Sequence, residues 1–150
     1  ALETYMSGVR GRHGSELVPT NKRGVIRLFS ILSNQGMVGI LPDQVPGGNG
    51  GINAPFMGVP ANTIKLVARL INRTNCEVVS LCAVRLPNAE GFEMVFRPAD
   101  SEIYSADVET SVAALNRSVE TCVRDNPDQY QWEYKRFKGT RINGNKVYKK

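Results

Sequence analysis

Histidine is almost absent from this chain of 150 residues, in which His13 is the only one. A mechanism that needs an imidazole base must therefore use His13 or a histidine from outside the chain. The sequence also lacks a Gly-x-Ser-x-Gly nucleophile elbow, a phosphate-loop lysine motif and a Cys/His cluster with zinc spacing. These absences argue against the corresponding hydrolases, nucleotide-binding proteins and zinc proteins. We interpret His13 as a surface or turn residue.

Cysteine is scarce as well. Cys76, Cys82 and Cys122 show no metal-ligand spacing, and their odd number argues against a disulfide framework. Cys82 and Cys122 fall on apolar faces, so we predict buried free thiols, which suit a reducing cytosolic environment. No metal site is expected.

Long apolar runs are missing too. No run approaches the roughly 18 residues of a membrane-spanning helix, and no signal peptide is present. The chain begins at Ala1 within a stretch that reads as helical. We therefore expect it to be a fragment of a longer protein.

Charge is concentrated at one end of an otherwise ordinary globular composition. The chain is 41% hydrophobic and 22% charged, with a net charge of +5, which suits one domain with its own core. Residues 131–150 hold seven lysines and arginines against one glutamate. Such a segment suits an anionic partner, namely a phospholipid, a phosphorylated lipid, an acidic carrier protein or nucleic acid. The alternative for residues 139–150 is a solvated, partly frayed tail.

Hydrophobic periodicity indicates an α/β domain. We predict helices over residues 24–34, 63–73 and 106–125, and strands over residues 37–41, 52–56, 78–86 and 92–96. Asn62 or Thr63 is the expected N-cap of the second helix. Strands 37–41 and 78–86 read as buried, whereas strand 92–96 reads as the half-exposed hairpin partner of strand 78–86.

Asp43 and Gln44 directly follow predicted strand 37–41 and precede a glycine-rich loop at residues 47–51. Open α/β sheets place their ligands beyond the carboxyl ends of strands, so Asp43 is the strongest candidate site residue. The alternative is that Asp43 caps a turn. The glycines either let backbone approach a ligand closely or form a flexible connector.

Several short motifs occur in a recognisable order and spacing over residues 10–138. They are Leu41-Pro42-Asp43-Gln44, Gly51, Pro55-Phe56-x-Gly58, Pro60-Ala61-x-Thr63, Leu115-Asn116, Val119-Glu120, and Pro127-x-Gln129-Tyr130-x-Trp132 followed by Tyr134-Lys135-Arg136-Phe137-Lys138. Together they resemble the late (lauroyl/myristoyl-type) acyltransferases of lipid A biosynthesis.

The resemblance implies a fold and an activity. The fold is an αβα layered domain around a mixed, mostly parallel sheet, like that of glycerol-3-phosphate acyltransferase, and it is expected to be incomplete here. Residues 1–138 would form the C-terminal part of this domain, and residues 139–150 a basic tail. The activity is transfer of a fatty acyl group from acyl carrier protein to a hydroxyl of a lipid A precursor in lipopolysaccharide biosynthesis, without a cofactor. The expected location is the cytoplasmic face of the bacterial inner membrane, with the anchor upstream of this chain.

The resemblance also implies roles for individual residues. Asp43 and Arg10 would belong to the catalytic group, and spacing does not decide between Arg10 and Arg12 as the functional arginine. The expected substrate-binding residues are Arg12, Gln44, Phe56, Lys135 and Arg136. Lys135 and Arg136 would bind lipid phosphates at the membrane surface, and Phe56 would shape the wall of the acyl pocket.

The histidine departs from the family pattern. The family uses a His-x-x-x-x-Asp/Glu motif, with the histidine as general base and the carboxylate orienting it. Val18 stands five residues after His13, so His13 does not complete this motif. We expect the motif to lie upstream of Ala1, and we expect the isolated chain to be inactive, marginally stable and rich in exposed apolar surface.

Two other functions stay open at this point. A related acyltransferase acting on another glycolipid, such as a phosphatidylinositol mannoside, would carry the same motifs. A non-catalytic module that binds anionic lipid or nucleic acid would use the interleaved aromatic and basic residues 134–138. The resemblance favours lipid over nucleic acid. Alternatively, Trp132 and Phe137 have a purely structural role and dock the C-terminus onto the core.

Overall fold

The computed structural model describes residues 5, 8–9, 11 and 14–148, and the chain divides into two compact units, residues 1–38 and 39–150. In the first unit, helix α1 (Lys22–Ser33) confirms the helix predicted over residues 24–34. Its N-cap is Asn21, whose side chain accepts a hydrogen bond from the Gly24 N–H.

The second unit is a mixture of helices and small antiparallel sheets. Its helices are α2 (Leu66–Thr74) and α3 (Val108–Asp125), and short 3₁₀ turns occur at Pro87–Ala89, Ser101–Tyr104 and Pro127–Gln129. Its strands are β1 (Gly51–Phe56), β2 (Val59–Ile64), β3 (Val79–Arg85), β4 (Phe92–Pro98), β5 (Arg141–Ile142) and β6 (Asn145–Lys146).

Helix α3 lies at the centre of the second unit. It begins at Asp107, whose side chain accepts a hydrogen bond from the Thr110 N–H at 2.8 Å. The predicted apolar stripe is confirmed, and residues of α3 take part in three separate hydrophobic clusters. These clusters join α3 to α2, to hairpin β1–β2 and to the C-terminal residues 130–137. The helix therefore connects hairpin β1–β2, helix α2 and the C-terminal residues that the motifs had singled out.

Hairpin β1–β2 was only half predicted. The extended stretch 52–56 is confirmed as β1, but residues 59–64 were expected to lead into a helix and instead form β2, so the N-cap assignment to Asn62 or Thr63 is wrong. A two-residue turn joins the strands, with positive φ at both Met57 and Gly58. Such a turn matches the right-handed twist of a hairpin, and it was the sequence signal that we missed.

Hairpin β3–β4 is confirmed in position, but the burial of its first strand is not. Residues of β3 alternate between exposed and partly covered along the whole strand. One face of the hairpin therefore packs on the core while the opposite face, although apolar, meets solvent. The apolar run was read as buried on both faces because both faces carry apolar side chains.

The sheet topology differs from the expected one. Among the described residues every strand pair is antiparallel, and each sheet has two strands. The chain is thus mixed α/β, and the part of it that the structure describes does not contain the predicted mostly parallel sheet. Residues 37–41 form no strand: Met37 is 93% exposed and Leu41 is 56% exposed. Their apolar composition was therefore misread as a sign of burial in this chain.

The C-terminal residues are packed against the rest of the second unit, of which they are a part. Thr140 donates a hydrogen bond from Oγ1 to the Pro60 carbonyl at 2.8 Å, and strands β5 and β6 form a short hairpin within the predicted basic tail. No helix in the described part of the chain has both the length and the apolar character needed to cross a bilayer.

Candidate functional site

The loop that carries Asp43 is held by the far end of the chain. We call residues 42–46 the Asp43 loop and residues 130–138 the C-terminal segment. The backbone N–H of Val45 donates a hydrogen bond to the Tyr134 hydroxyl at 2.8 Å, across 89 positions of sequence. The structure thus brings together the two stretches, one around Asp43 and one around Lys135, that the motifs had marked separately.

A buried polar cluster lies beneath this contact. Arg136 is only 2% exposed and donates hydrogen bonds to the Asn62 carbonyl and to the Thr63 hydroxyl, both at 2.7 Å. It also donates to Asn116 Oδ1 at 3.2 Å. We call Arg136, Thr63 and Asn116, together with the Asn62 carbonyl, the Arg136 cluster. It ties the C-terminal segment to β2 and α3, because its members come from all three.

Asn116 extends the cluster to the other strand of the hairpin. Its amide group donates to the Pro55 carbonyl at 2.8 Å and lies 3.0 Å from the Thr63 hydroxyl. Asn116 is 1% exposed and Thr63 is fully buried, so these hydrogen bonds replace those that water would make. Pro55 and Pro60 are directly opposed in the register, and prolines are tolerated there because both strands are edge strands.

The positive charge of Arg136 has no carboxylate bonded to it. Among the described residues, no ion pair includes Arg136, and its hydrogen-bond partners are neutral oxygens. Burial lowers the pKa of Arg136, and the charges of Tyr130, Asp43, Tyr134 and Tyr148 oppose this shift. Of these four groups only Asp43 is a carboxylate. Asp43 is therefore the nearby negative charge that favours keeping Arg136 protonated.

Tyr130 interacts electrostatically with both of these charged groups. Burial first, and then the Asp43 carboxylate, raise the pKa of Tyr130 to about 12, while Arg136 acts in the opposite direction. Its hydroxyl is buried and has no hydrogen-bond partner among the described residues. At neutral pH Tyr130 is thus a neutral phenol beside a carboxylate, and its O–H is available as a donor.

The aromatic residues around the cluster form a closed packing arrangement. Phe56 has no exposed surface, and its ring centroid lies 6.2 Å from that of Tyr130 and 6.0 Å from that of Phe137. The Arg136 guanidinium lies 5.3 Å from the Phe56 ring centroid, a cation–π distance. Phe137 therefore docks the C-terminal segment onto the core, whereas Trp132 is 54% exposed and packs edge-on against Tyr130.

Two predicted site residues are not where the sequence placed them. Arg136 was expected at an exposed lipid-binding surface, and this location is wrong, because its guanidinium satisfies buried oxygens of β2 and α3. Phe56 was expected on a pocket wall, but it lies inside the aromatic packing with nothing exposed. In both cases the residue type fitted a binding role as well as a structural one.

The remaining predicted site residues keep their candidate roles. Asp43 is partly exposed, and Gln44 and Lys135 are exposed, so all three are accessible to a ligand. The Lys135 ammonium lies 5.9 Å from the Tyr148 ring centroid. Arg10 and Arg12, together with His13, lie outside the described residues.

Sequence reasoning missed the roles of Tyr130, Tyr134 and Asn116. A signal existed for Asn116, because it stands four residues after Val112 and thus falls on the apolar face of α3. A polar residue on such a face needs buried partners. Tyr134 carried no comparable signal, since only the fold shows that its hydroxyl reaches Val45.

Gly51 has a packing role in the hairpin. A Cβ at this position would lie 2.5 Å from Pro46 Cγ and 2.8 Å from the Thr63 carbonyl oxygen, closer than such atoms approach. The sequence leaves open whether the glycine-rich loop lets backbone approach a ligand. At Gly51 the close approach is to Pro46 and Thr63 of this chain. A separate cleft of about 450 Å³ is lined by Ala83, Arg85, Phe92, Asp128 and Gln129, and none of these is a predicted site residue.

Comparison with known proteins identifies the family. The family described as "Bacterial lipid A biosynthesis acyltransferase" matches residues 1–139, which is most of the chain. This chain belongs to that family.

Curated relatives agree with this assignment. The chain is 27% identical over 129 residues to the lipid A biosynthesis lauroyltransferase of Escherichia coli (strain K12), covering 85% of this chain and 42% of the relative. It is 25% identical over 143 residues to the lipid A biosynthesis palmitoleoyltransferase of the same organism, covering 93% of this chain and 45% of the relative. It is 29% identical over 144 residues to lipid A biosynthesis acyltransferase 2 of Shigella flexneri, covering 95% and 45%. The chain thus spans less than half the length of these relatives.

Proposed function

We propose that this chain is the C-terminal part of an enzyme that transfers a fatty acyl group from acyl carrier protein to a hydroxyl of a lipid A precursor, without a cofactor. The observation that carries the proposal is the family match over residues 1–139 combined with the anchored, partly exposed Asp43. In the whole protein, we expect the domain to complete a layered sheet and to act at the cytoplasmic face of the inner membrane.

Asp43 is suited to orienting a reaction partner. Its carboxylate stands on a loop fixed by a hydrogen bond from Val45, with the Tyr130 phenol and the buried Arg136 charge nearby. Such a carboxylate can accept a hydrogen bond from a sugar hydroxyl or orient an arginine side chain. The general base would be the histidine of the His-x-x-x-x-Asp/Glu motif of the longer protein, which takes the proton from the acceptor hydroxyl as that oxygen attacks the acyl thioester. The new C–O ester bond forms as the C–S bond breaks, and the carrier thiol leaves with the proton that the histidine returns.

Gln44 and Lys135 complete the proposed binding residues. Both are exposed, and Lys135 lies next to the anchored Arg136 in the C-terminal segment. An exposed ammonium of this kind can bind a phosphate of the acceptor or of a membrane lipid as a point charge.

The test is acyl transfer by the full-length protein in bacterial membranes, with labelled acyl carrier protein thioester and a lipid A precursor. Asp43→Asn should lower kcat by about a hundredfold, a size typical of a lost orienting group. Asp125→Asn is the matched control, because Asp125 is a surface carboxylate paired with Arg97 at 2.6 Å. Equal activity of both variants would contradict the role of Asp43. Acylation of a different glycolipid, with none of the lipid A precursor, would contradict the proposed acceptor.

A further inference from the structure

The hydroxyl of Tyr134 is the only oxygen that the structure supplies to the Val45 N–H among the described residues. Val45 lies two positions after Asp43, on a short loop in which Pro42 and Pro46 already restrict the backbone. A single hydrogen bond at this point therefore sets where the loop, and with it the Asp43 carboxylate, can lie. A loop held in this way loses less entropy when it binds a ligand.

The other end of this connection is immobilised. The backbone N–H of Arg136 donates to the Tyr134 carbonyl at 2.7 Å, so the two residues form one tight turn. Arg136 is itself fixed by its hydrogen bonds to Asn62, Thr63 and Asn116. The Asp43 loop is therefore connected to the buried Arg136 cluster by two hydrogen bonds, one to the Tyr134 hydroxyl and one within the turn of Tyr134 and Arg136.

We propose that Tyr134 is a positioning residue for Asp43, which it holds in the productive geometry by accepting the Val45 N–H hydrogen bond. This inference rests on the proposed function, in which Asp43 orients a reaction partner. Tyr134 itself touches no reacting atom in this scheme. Its effect on the reaction comes entirely through the placement of the loop.

The variant that isolates this effect is Tyr134→Phe in the full-length protein, because it removes one oxygen and keeps the ring. The expected result is a fall in kcat of about tenfold, with the KM for acyl carrier protein thioester changed by less than twofold, since misplacement of a catalytic group affects the reacting complex most. A fall confined to KM, or no fall at all, would overturn the proposal.

Tyr104→Phe is the matched control. The Tyr104 hydroxyl likewise accepts a backbone hydrogen bond, from the Val78 N–H at 3.0 Å. Val78 lies directly before strand β3 and not in the Asp43 loop. Both variants remove the same kind of bond, so they should cost similar stability. If Tyr104→Phe lowers kcat as much as Tyr134→Phe does, the effect is one of general stability and the proposal is wrong.

Two readouts separate this proposal from the proposed function. Hydrogen exchange of the full-length protein should show faster exchange over residues 42–46 in Tyr134→Phe and not in Tyr104→Phe, whatever the reaction is. Unchanged exchange over these residues would overturn the positioning role. Activity of the double variant Asp43→Asn with Tyr134→Phe should equal that of Asp43→Asn alone, because Tyr134 acts through Asp43. Additive losses would overturn the proposal, whereas a fully active Asp43→Asn variant would overturn the proposed function.

Discussion

Arg136 donates a 2.7 Å hydrogen bond to the hydroxyl of Thr63, a residue 73 positions earlier in the chain. This contact joins the C-terminal segment to the hairpin that follows the Asp43 loop. Burial of a charge without a bonded carboxylate costs free energy, and the oxygens of the Arg136 cluster offset that cost through charge-assisted hydrogen bonds. The arrangement makes Arg136 a structural requirement of the fold.

Replacement of Arg136 should therefore lower the free energy of unfolding of the chain. Arg136→Met keeps an unbranched apolar stem but leaves the Asn62 carbonyl without its donor and removes one of the two donors to Asn116 Oδ1, whose other donor is the Thr63 hydroxyl. We expect a loss of about 3 kcal/mol in the free energy of unfolding, since each unsatisfied buried acceptor costs about 1–3 kcal/mol. Lys135→Met, the exposed neighbour, should change it by less than about 0.5 kcal/mol. Urea unfolding of the two variants checks this, and equal midpoints would contradict the assigned role.

The turn of hairpin β1–β2 offers a second test of stability. Gly58 has φ +75°, and no atom lies within 4 Å of the position that a Cβ would take. Gly58→Ala should thus lower stability by about 1 kcal/mol through backbone strain alone. Gly39→Ala is the control, because that site is equally open but its φ is not positive. The difference between their thermal midpoints measures the strain, and a Gly58→Ala variant as stable as Gly39→Ala would show that the turn tolerates a side chain.

The sequence predicted helices better than sheets, for a physical reason. Helix α3 was predicted closely because its hydrophobic periodicity is a local signal. The prediction of a strand over residues 37–41 was wrong. An apolar run indicates that burial would be favourable, but it does not indicate which other residues would pack against it. Pairing depends on contacts between distant residues, as in β2, where a two-residue turn redirects a segment that had been read as the start of a helix.

The candidate site shows the same difference between local sequence signals and contacts of distant residues. Asp43 was found from its position after an apolar run, although that run forms no strand here. Arg136 was selected for its charge, but its burial depends on Thr63 and Asn116, which no local pattern connects to it. Tyr134 was part of a recognised motif, yet its contact with Val45 spans 89 positions. Sequence reasoning therefore selected segments that the fold brings into contact, and it assigned some of their residues to surroundings that the structure does not show.

Cys82 provides a test that depends on pH. Burial raises the pKa of the Cys82 thiol from 9.0 to about 12, with the neighbouring Cys122 as the second cause, so the folded chain holds it protonated. Only the thiolate is alkylated rapidly. In the folded chain at pH 8.5, iodoacetamide should label Cys82 at least about a hundredfold more slowly than in urea, as followed by peptide mass spectrometry. Equal rates would show that Cys82 is accessible and ionises normally.

The same shift affects stability at alkaline pH. Above pH 9 the unfolded chain releases the Cys82 proton while the folded chain retains it, until the pH reaches about 12. The contribution of this thiol to stability is therefore complete below pH 9 and is lost as the pH rises through this window. Cys82→Ser should flatten the fall in the urea midpoint between pH 9 and pH 10.5. An identical fall in both proteins would contradict the shift.

The exposed face of hairpin β3–β4 tests the expectation that this chain presents apolar surface to solvent. Side chains on this face are half exposed or more, and they are Val79, Leu81, Phe92, Met94 and Phe96. Leu81 and Phe96 are direct cross-strand partners near its centre. A contiguous apolar patch of this kind binds hydrophobic dyes, whereas single exposed apolar residues do not.

The double variant Leu81→Thr with Phe96→Thr should therefore lower the fluorescence of bound anilinonaphthalene sulfonate severalfold. Threonine keeps a β-branched side chain, so the strands retain their propensity while the patch loses its two central apolar groups. Met37→Thr is the control, because Met37 is 93% exposed but lies outside the hairpin. Dye fluorescence that is equally low in the unmodified chain would mean that the face is covered in solution. An equal decrease in both variants would mean that the dye binds elsewhere.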